Sequence, residues 1–338
     1  MKIGIVNDML LIGEALRRVV AKMPEHQVAW VARSGEQAIA FCAQHRPDLI
    51  LMDLVMPGMD GIDTTRRIMQ DHPCAILVVT ASPEENTSLV FRALGAGALD
   101  VTATPVLAGS NASGTALMNK IRTMARLIRA DTGSVTGRQP AAPPLTESEL
   151  AGKLVAFGAS TGGPVALARI LSAWRPPAHV AVVVIQHIDA AFADSFAGWL
   201  QDQCGQTITV AEDGAAVRGG QILVAKTNDH LTLDAALRLR YSPEPASYPY
   251  RPSVNVFFRD IARHWRNRAA GILLTGMGRD GAEGLLAMRR AGKFTIAQDR
   301  QSSAVYGMPR AAAEVEAADM ILPLEEIAGT LQARCGTA

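Results

Sequence analysis

The chain has 338 residues, 49% of them apolar and only 5% aromatic, with a formal net charge of +1. That length suits two domains, and that apolar share excludes wholesale disorder. Near-neutrality excludes a strong field for nucleic acid or an anionic membrane, and no apolar run approaches the ~18 residues that span a bilayer.

The first residues, "MKIGIVND", read straight into a strand rather than a secretion signal. Apolar runs "IGIV", "VAWVA", "DLILMD", "AILVVT" and "ALDVTA" then follow at intervals. Helical patterns such as "GEALRRVVAKM", "EQAIAFCAQH" and "IDTTRRIMQD" lie between them. This alternation predicts a doubly wound parallel sheet, with residues 112 to 130 as its last helix. Ligands of such sheets bind outside the carboxyl ends of the strands. Asn7 and Asp8 follow the first strand, Asp53 the third and Thr80 the fourth. Carboxylates on neighbouring strand ends can hold a hard divalent cation such as Mg²⁺, and the turn after Asp53 offers a backbone carbonyl.

This set resembles the receiver domain of two-component response regulators, over about residues 1 to 125. The resemblance implies that Asp53 accepts a phosphoryl group from a histidine kinase. It also implies that Mg²⁺ is held by Asp8, Asp53 and the backbone of Val55, with Asn7 a weaker contributor, and that Thr80 contacts the phosphoryl group. Two positions depart from the pattern. The usual acidic pair is Asn7-Asp8, and Thr104 precedes Pro105 where the family has lysine. Phosphorylation of Asp53 is expected nonetheless.

From Asp131 to Glu149, "DTGSVTGRQPAAPPLTESE" is rich in Gly, Ser, Thr and Pro and lacks apolar periodicity. It reads as a flexible linker. After Lys153 the alternation resumes with "KLVAF", "HVAVVVIQH", "TITVA", "AGILLT", "FTIAQ" and "DMILP". A group of strands in "GQILVAKTNDHLTLDAALRLRYS" is expected as an insertion. The expected division is residues 1–125, a connecting stretch 126–150, and a second α/β domain over 151–338. The four cysteines, Cys42, Cys74, Cys204 and Cys335, are scattered, which favours free thiols in a reducing compartment and a cytoplasmic protein.

"VAFGASTGGPVAL" carries the second domain's chemistry. A glycine-rich turn between strand and helix can cradle phosphate, using Gly158, Gly162 and Gly163, or expose Ser160 as a nucleophile. A serine hydroxyl needs a base, an orienting acid and an oxyanion hole. His187 closes the apolar run "VAVVVIQH", and Asp280 lies in "GILLTGMGRDG" after another. Backbone N–H groups of Thr161 and Met277 are the oxyanion-hole candidates, and His230 is the rival base. The loop lacks the lysine of a P-loop, which weakens the nucleotide-binding reading. A DNA-binding output is disfavoured by the charge and by the lack of a recognition helix.

The strings "GASTGGP", "QHI", "NDHL", "YRPSVNVFF", "LLTGMGRDGAEGL", "TIAQDRQSSAVYGMP" and "ILPLEEI" occur in the order seen in the CheB family of chemotaxis receptor methylesterases. The resemblance covers nearly all of residues 153 to 328 and includes the receiver–linker–esterase arrangement. It implies a Rossmann-like methylesterase domain behind a flavodoxin-like receiver, with Ser160, His187 and Asp280 as catalytic triad. The implied substrate is a glutamyl methyl ester on the cytoplasmic domain of a methyl-accepting receptor, with glutamine deamidation as a second activity. No cofactor is implied for the esterase reaction, and no nucleic acid partner or membrane insertion. The family's receiver gates its esterase cleft. The opening "MKIGIVND" and the "DVTATP" ending resemble the Wsp-type branch, which feeds a diguanylate cyclase.

Overall fold

The computed structural model describes residues 1–81, 87–105, 112–129, 152–226, 228–246, 248 and 250–336. The chain divides into two units, Met1–Asp131 and Thr132–Ala338. The linker expected from Asp131 to Glu149 lies outside the described residues.

In the first unit the strands are β1 (Lys2–Val6), β2 (Gln27–Ala32), β3 (Leu49–Met52), β4 (Ala75–Thr80) and β5 (Asp100–Ala103). The helices are α1 (Leu10–Ala21), α2 (Gly35–Gln44), α3 (Gly61–Asp71), α4 (Thr87–Ala96) and α5 (Ala112–Arg129). The strand order is β2-β1-β3-β4-β5, all parallel. This is the flavodoxin-like order, which reverses beside β1 and opens a crevice at the ends of β1 and β3. β3 and β4 are buried on both faces, as strands of a sheet covered by helices must be. α2 and α3 start at Ser34 and Asp60, whose side chains accept the N–H groups of Gln37 and Asp63.

The second unit is built on a seven-stranded sheet. Its strands are β6 (Lys153–Ala159), β7 (Val180–Gln186), β8 (Thr209–Val210), β9 (Ile222–Val224), β12 (Arg268–Leu273), β13 (Phe294–Gln298) and β14 (Met320–Leu322). The order is β14-β13-β12-β6-β7-β9-β8, again all parallel. β6 and β7 are central, and from Val180 to Ile185 β7 carries only aliphatic side chains with no solvent exposure. Each valine or isoleucine there contributes roughly 1.5–3 kcal/mol of burial, which anchors the middle of the sheet. The helices are α6 (Gly163–Ala173), α7 (Ala193–Cys204), α8 (Val254–His264), α9 (Ala282–Arg290), α10 (Met308–Glu314) and α11 (Leu324–Cys335).

The expected insertion is divided differently. Its first strand, β9, joins the main sheet beside β7. Only β10 (His230–Leu233) and β11 (Leu239–Ser242) stand apart, as an antiparallel hairpin. A three-residue strand has too little pattern of its own to declare which sheet it joins. The hairpin packs on α8 through Leu231, Leu233 and Leu239, all buried with Phe257 and Ile261. Asp260 of α8 accepts the Leu233 N–H at 3.1 Å.

Candidate functional site

Ser160, His187 and Asp280 leave three neighbouring strands at the carboxyl edge of the second sheet. Ala159 pairs with Gln186, so Ser160 and His187 follow adjacent strands at the same level. Asp280 lies in the loop that leaves β12, on the other side of β6. Its neighbour in that loop, Gly276, lies so close that a β-carbon there would sit 2.8 Å from Ser160 Cβ.

The turn at Ser160 is tight for identifiable reasons. The Ser160 carbonyl accepts from Gly163 N at 2.8 Å and Gln186 Nε2 at 2.9 Å. Gly162 caps α6 at φ +78°, a left-handed conformation that glycine adopts without a Cβ penalty. Pro164 occupies the first turn of α6, where a missing N–H costs no hydrogen bond. Thr275 fastens this turn to the β12 loop. Its carbonyl accepts Ser160 N–H at 3.1 Å and its hydroxyl donates to the Thr161 carbonyl at 2.9 Å.

Asp280 is buried, with its carboxylate seated on the N-terminus of α8. It accepts from Val254 N at 2.6 Å, Asn255 N at 3.1 Å and Ser253 Oγ at 2.8 Å. His187 Nε2 completes the set at 2.8 Å. Burial pushes the carboxyl pKa up. The hydrogen bond and charge of His187, with the bonds from Ser253 and Val254, outweigh it and hold the group below its usual value. The acid is therefore a fixed anion that orients the imidazole. Because Nε2 faces the carboxylate, Nδ1 is the ring's other nitrogen, and it is buried with no hydrogen-bond partner among the described residues. Among the described residues no hydrogen bond joins it to Ser160 Oγ; catalytic contacts of this kind commonly close only around substrate.

The oxyanion candidates occupy the two turns that border Ser160. Ser160's own N–H is spent on Thr275. Among the described residues, neither Thr161 N–H nor Met277 N–H has a backbone acceptor. His230 is not brought to the reacting side. It is fully buried, accepts Ser253 N–H at Nδ1 (3.2 Å) and meets the Pro245 carbonyl at Nε2 (3.2 Å). Both ring nitrogens are committed, and burial lowers its pKa, so it supports the Asp280 platform from behind.

The sequence does not point to two further contributors to the site, although both lie within the string "YRPSVNVFF". Ser253 caps α8 by accepting Val256 N–H and also donates to Asp280. Tyr250 stacks on the His187 ring, with centroids 4.2 Å apart and planes 11° from parallel. An Asx/Ser-type cap before an apolar helix was a readable signal for Ser253. No local pattern announces that Tyr250 returns to a histidine sixty-odd positions earlier.

In the first unit, β1 and β3 bring Asn7 and Asp53 together, because Val6 pairs with Met52. Asp53 accepts from Asn7 Nδ2 at 2.7 Å and from Val55 N at 3.3 Å. Burial raises its carboxyl to about 6, against the backbone N–H bonds of Val55 and Leu54 and with help from the Asp8 charge. Thr80 ends β4 alongside, buried, and its carbonyl accepts Thr104 N–H at 2.9 Å. Asn7 differs from its expected part as a metal contributor. Its oxygen accepts Met9 N–H at 2.9 Å while its nitrogen faces Asp53, so it serves the carboxylate as a donor. Asp8 and Asp53 remain as two carboxylates whose mutual repulsion a hard cation would relieve, and this donor set fits Mg²⁺.

Residues 155–331 match the CheB methylesterase family, and residues 3–107 match the response regulator receiver domain. The chain is 51% identical over 337 residues to "protein-glutamate methylesterase/protein-glutamine glutaminase 3" of Burkholderia orbicola (strain AU 1054), covering 99% of this chain and 98% of that protein. It is 49% identical over 336 residues to the enzyme numbered 1 of that name in Pseudomonas fluorescens (strain Pf0-1), covering 98% of each. The second unit resembles the crystal structure of the Thermotoga maritima CheB methylesterase catalytic domain. The TM-score is 0.50 and the identity 32%, over 55% of this chain and 100% of that one.

Proposed function

Because the chain belongs to the CheB methylesterase family and carries a response regulator receiver domain ahead of the esterase, we propose that it is a phosphorylation-regulated protein-glutamate methylesterase. Its substrates are glutamyl methyl esters on the cytoplasmic domain of a methyl-accepting receptor, and it works in the cytoplasm. The observation that carries the reading is the 2.8 Å bond from His187 to Asp280, with the ring's second nitrogen left free at the strand end next to Ser160.

Ser160 Oγ attacks the ester carbonyl while His187 Nδ1 takes its proton. Asp280 holds the ring in the tautomer that leaves Nδ1 unprotonated, then supports the imidazolium that forms. The N–H groups of Thr161 and Met277 receive the developing oxyanion. The tetrahedral intermediate expels methoxide, which leaves as methanol with the proton from His187. Water then enters, gives a proton to Nδ1 and cleaves the acyl-serine, releasing glutamate and restoring Ser160. An amide follows the same course with ammonia as leaving group, so the glutaminase named for the relatives fits this chain's chemistry.

In the receiver, Asp53 takes a phosphoryl group from a histidine kinase, and Thr80 contacts that group. Asp8, Asp53 and the Val55 backbone would hold Mg²⁺, which when bound would supply the positive charge that offsets the phosphoryl group and the carboxylates. Phosphorylation relieves inhibition of the esterase. Asn7 and Thr104, the two departures from the receiver pattern, support placement in the Wsp-type branch.

The test is methanol release from methylated receptor. The full chain releases methanol, and Ser160→Ala abolishes release without changing the melting temperature. Undiminished release by Ser160→Ala would place the chemistry elsewhere.

A further inference from the structure

The segment leading into α8, together with the helix's first residues, contacts both members of the acid–base pair. Ser253, Val254 and Asn255 donate to Asp280, and three residues earlier Tyr250 covers one face of the His187 ring. The Tyr250 hydroxyl reaches across to the Met277 carbonyl at 3.4 Å, in the loop that offers the second oxyanion donor. That loop makes room for it. Gly278 has φ +81°, and a β-carbon there would collide with the Tyr250 hydroxyl. Burial and the Asp280 charge push the phenol pKa up, so the hydroxyl remains a neutral donor.

We propose that Tyr250 is a positioning residue for the ester hydrolysis, which steadies the charged form of His187 through its ring face and the oxyanion loop through its hydroxyl. The proposal rests on the reading of His187 as base. An aromatic face attracts a cation, and it does so most where water is kept away. A neutral imidazole gains only the stacking contact, whereas the imidazolium formed during attack also gains the attraction of the ring's negative face. The contact is therefore stronger once the proton has moved, which is the condition for speeding the step.

Among the described residues, three titratable groups are tied to the His187 ring or its partner Asp280. The Asp280 carboxylate comes from the β12 loop, the Tyr250 phenol from the segment before α8, and the His230 imidazole stands behind Ser253. Arg251 donates to the Ala246 carbonyl, and Arg279 pairs with Glu314 at 2.9 Å. Asp280 holds the ring by a hydrogen bond at Nε2. Tyr250 touches it face to face without one, so the contributions of its ring and its hydroxyl can be separated by substitution.

The experiment compares the full-length wild type, Tyr250→Phe and Tyr250→Leu for methanol release from methylated receptor between pH 5 and 9, with melting temperatures as the check on folding. Tyr250→Phe keeps the ring and loses the hydroxyl. Its kcat is expected to fall by about three- to tenfold, the size of one lost hydrogen bond, with the acid limb of kcat/KM unmoved. Tyr250→Leu loses both, and its acid limb is expected to move about half a pH unit lower, the size of a cation–aromatic contact. An unmoved limb in Tyr250→Leu, with normal melting, overturns the role at the base. Unchanged kcat in Tyr250→Phe overturns the role at the loop. Ser160→Ala, assayed alongside, separates these outcomes from failure of the triad reading, which its full activity would signal.

Discussion

Asp280 concentrates the site's electrostatics in one side chain. Asp280→Asn keeps the volume but replaces one acceptor oxygen by a donor, so His187 loses the partner that fixes its tautomer. Methanol release should fall by roughly three to four orders of magnitude, with the fold retained. The same residue sets an acid limit on stability. Its folded pKa lies below the unfolded value, so its stabilisation is complete above about pH 4 and is lost as pH falls through the folded pKa. Asp53 has the opposite sign. Its carboxyl is raised to about 6, so between about pH 4 and 6 the folded receiver keeps a proton that the unfolded chain has released. Its contribution to stability falls as pH rises through that window. Mg²⁺ should therefore raise the receiver's melting temperature more at pH 7 than at pH 5, and Asp53→Asn should remove most of that difference. Ser160, His187 and Asp53 stand out in the sequence as candidates because each directly follows an apolar run, and Asp280 because it lies in a glycine-rich loop after one, in a fold whose strand ends carry function. Tyr250 was not, because a stacking partner is chosen by the path of a loop and leaves no periodic trace. Asn7 was legible as a missing acid, but its role as donor to Asp53 emerged only from the register of β1 with β3.

At the scale of elements, α8 is the support on which the site is mounted. Its first-turn N–H groups would otherwise lack partners, and they carry the helix's partial positive charge. Asp280 takes two of them, and Ser253 connects cap and carboxylate. Ser253→Ala should cost about 1–2 kcal/mol in chemical denaturation and also slow methanol release, a combination that a remote cap would not show. Gly278→Ala should destabilise by a similar amount, about 1–3 kcal/mol, through positive-φ strain and collision with Tyr250. The long strands and amphipathic helices were readable because each repeats its pattern often enough to be recognised. β9 departs from the expected insertion because three residues carry too little pattern to distinguish a parallel strand of the main sheet from a hairpin arm. The burial of His230 depends on how the β10–β11 hairpin closes over α8, and such long-range packing has no local signature.

For the whole molecule, the regulatory reading makes the receiver's chemistry a control on the esterase. Acetyl phosphate with Mg²⁺ should raise methanol release by the full chain on the order of tenfold, within the range of ordinary coupling free energies. Asp53→Asn should abolish the increase while keeping basal release, as measured in the same assay. The order of the second sheet also bears on biosynthesis. β12 inserts beside β6, although α6, β7 and the hairpin are all made between them, and Asp280 meets His187 across 93 positions of chain. Contacts of such long range form late, because a large loop must close before they bring any return. A chain still on the ribosome can thus expose Ser160 and His187 without owning a working base. Asp280 is followed by only about sixty residues, so on the proposed triad reading a nascent or prematurely terminated product that stops before it cannot hydrolyse the ester.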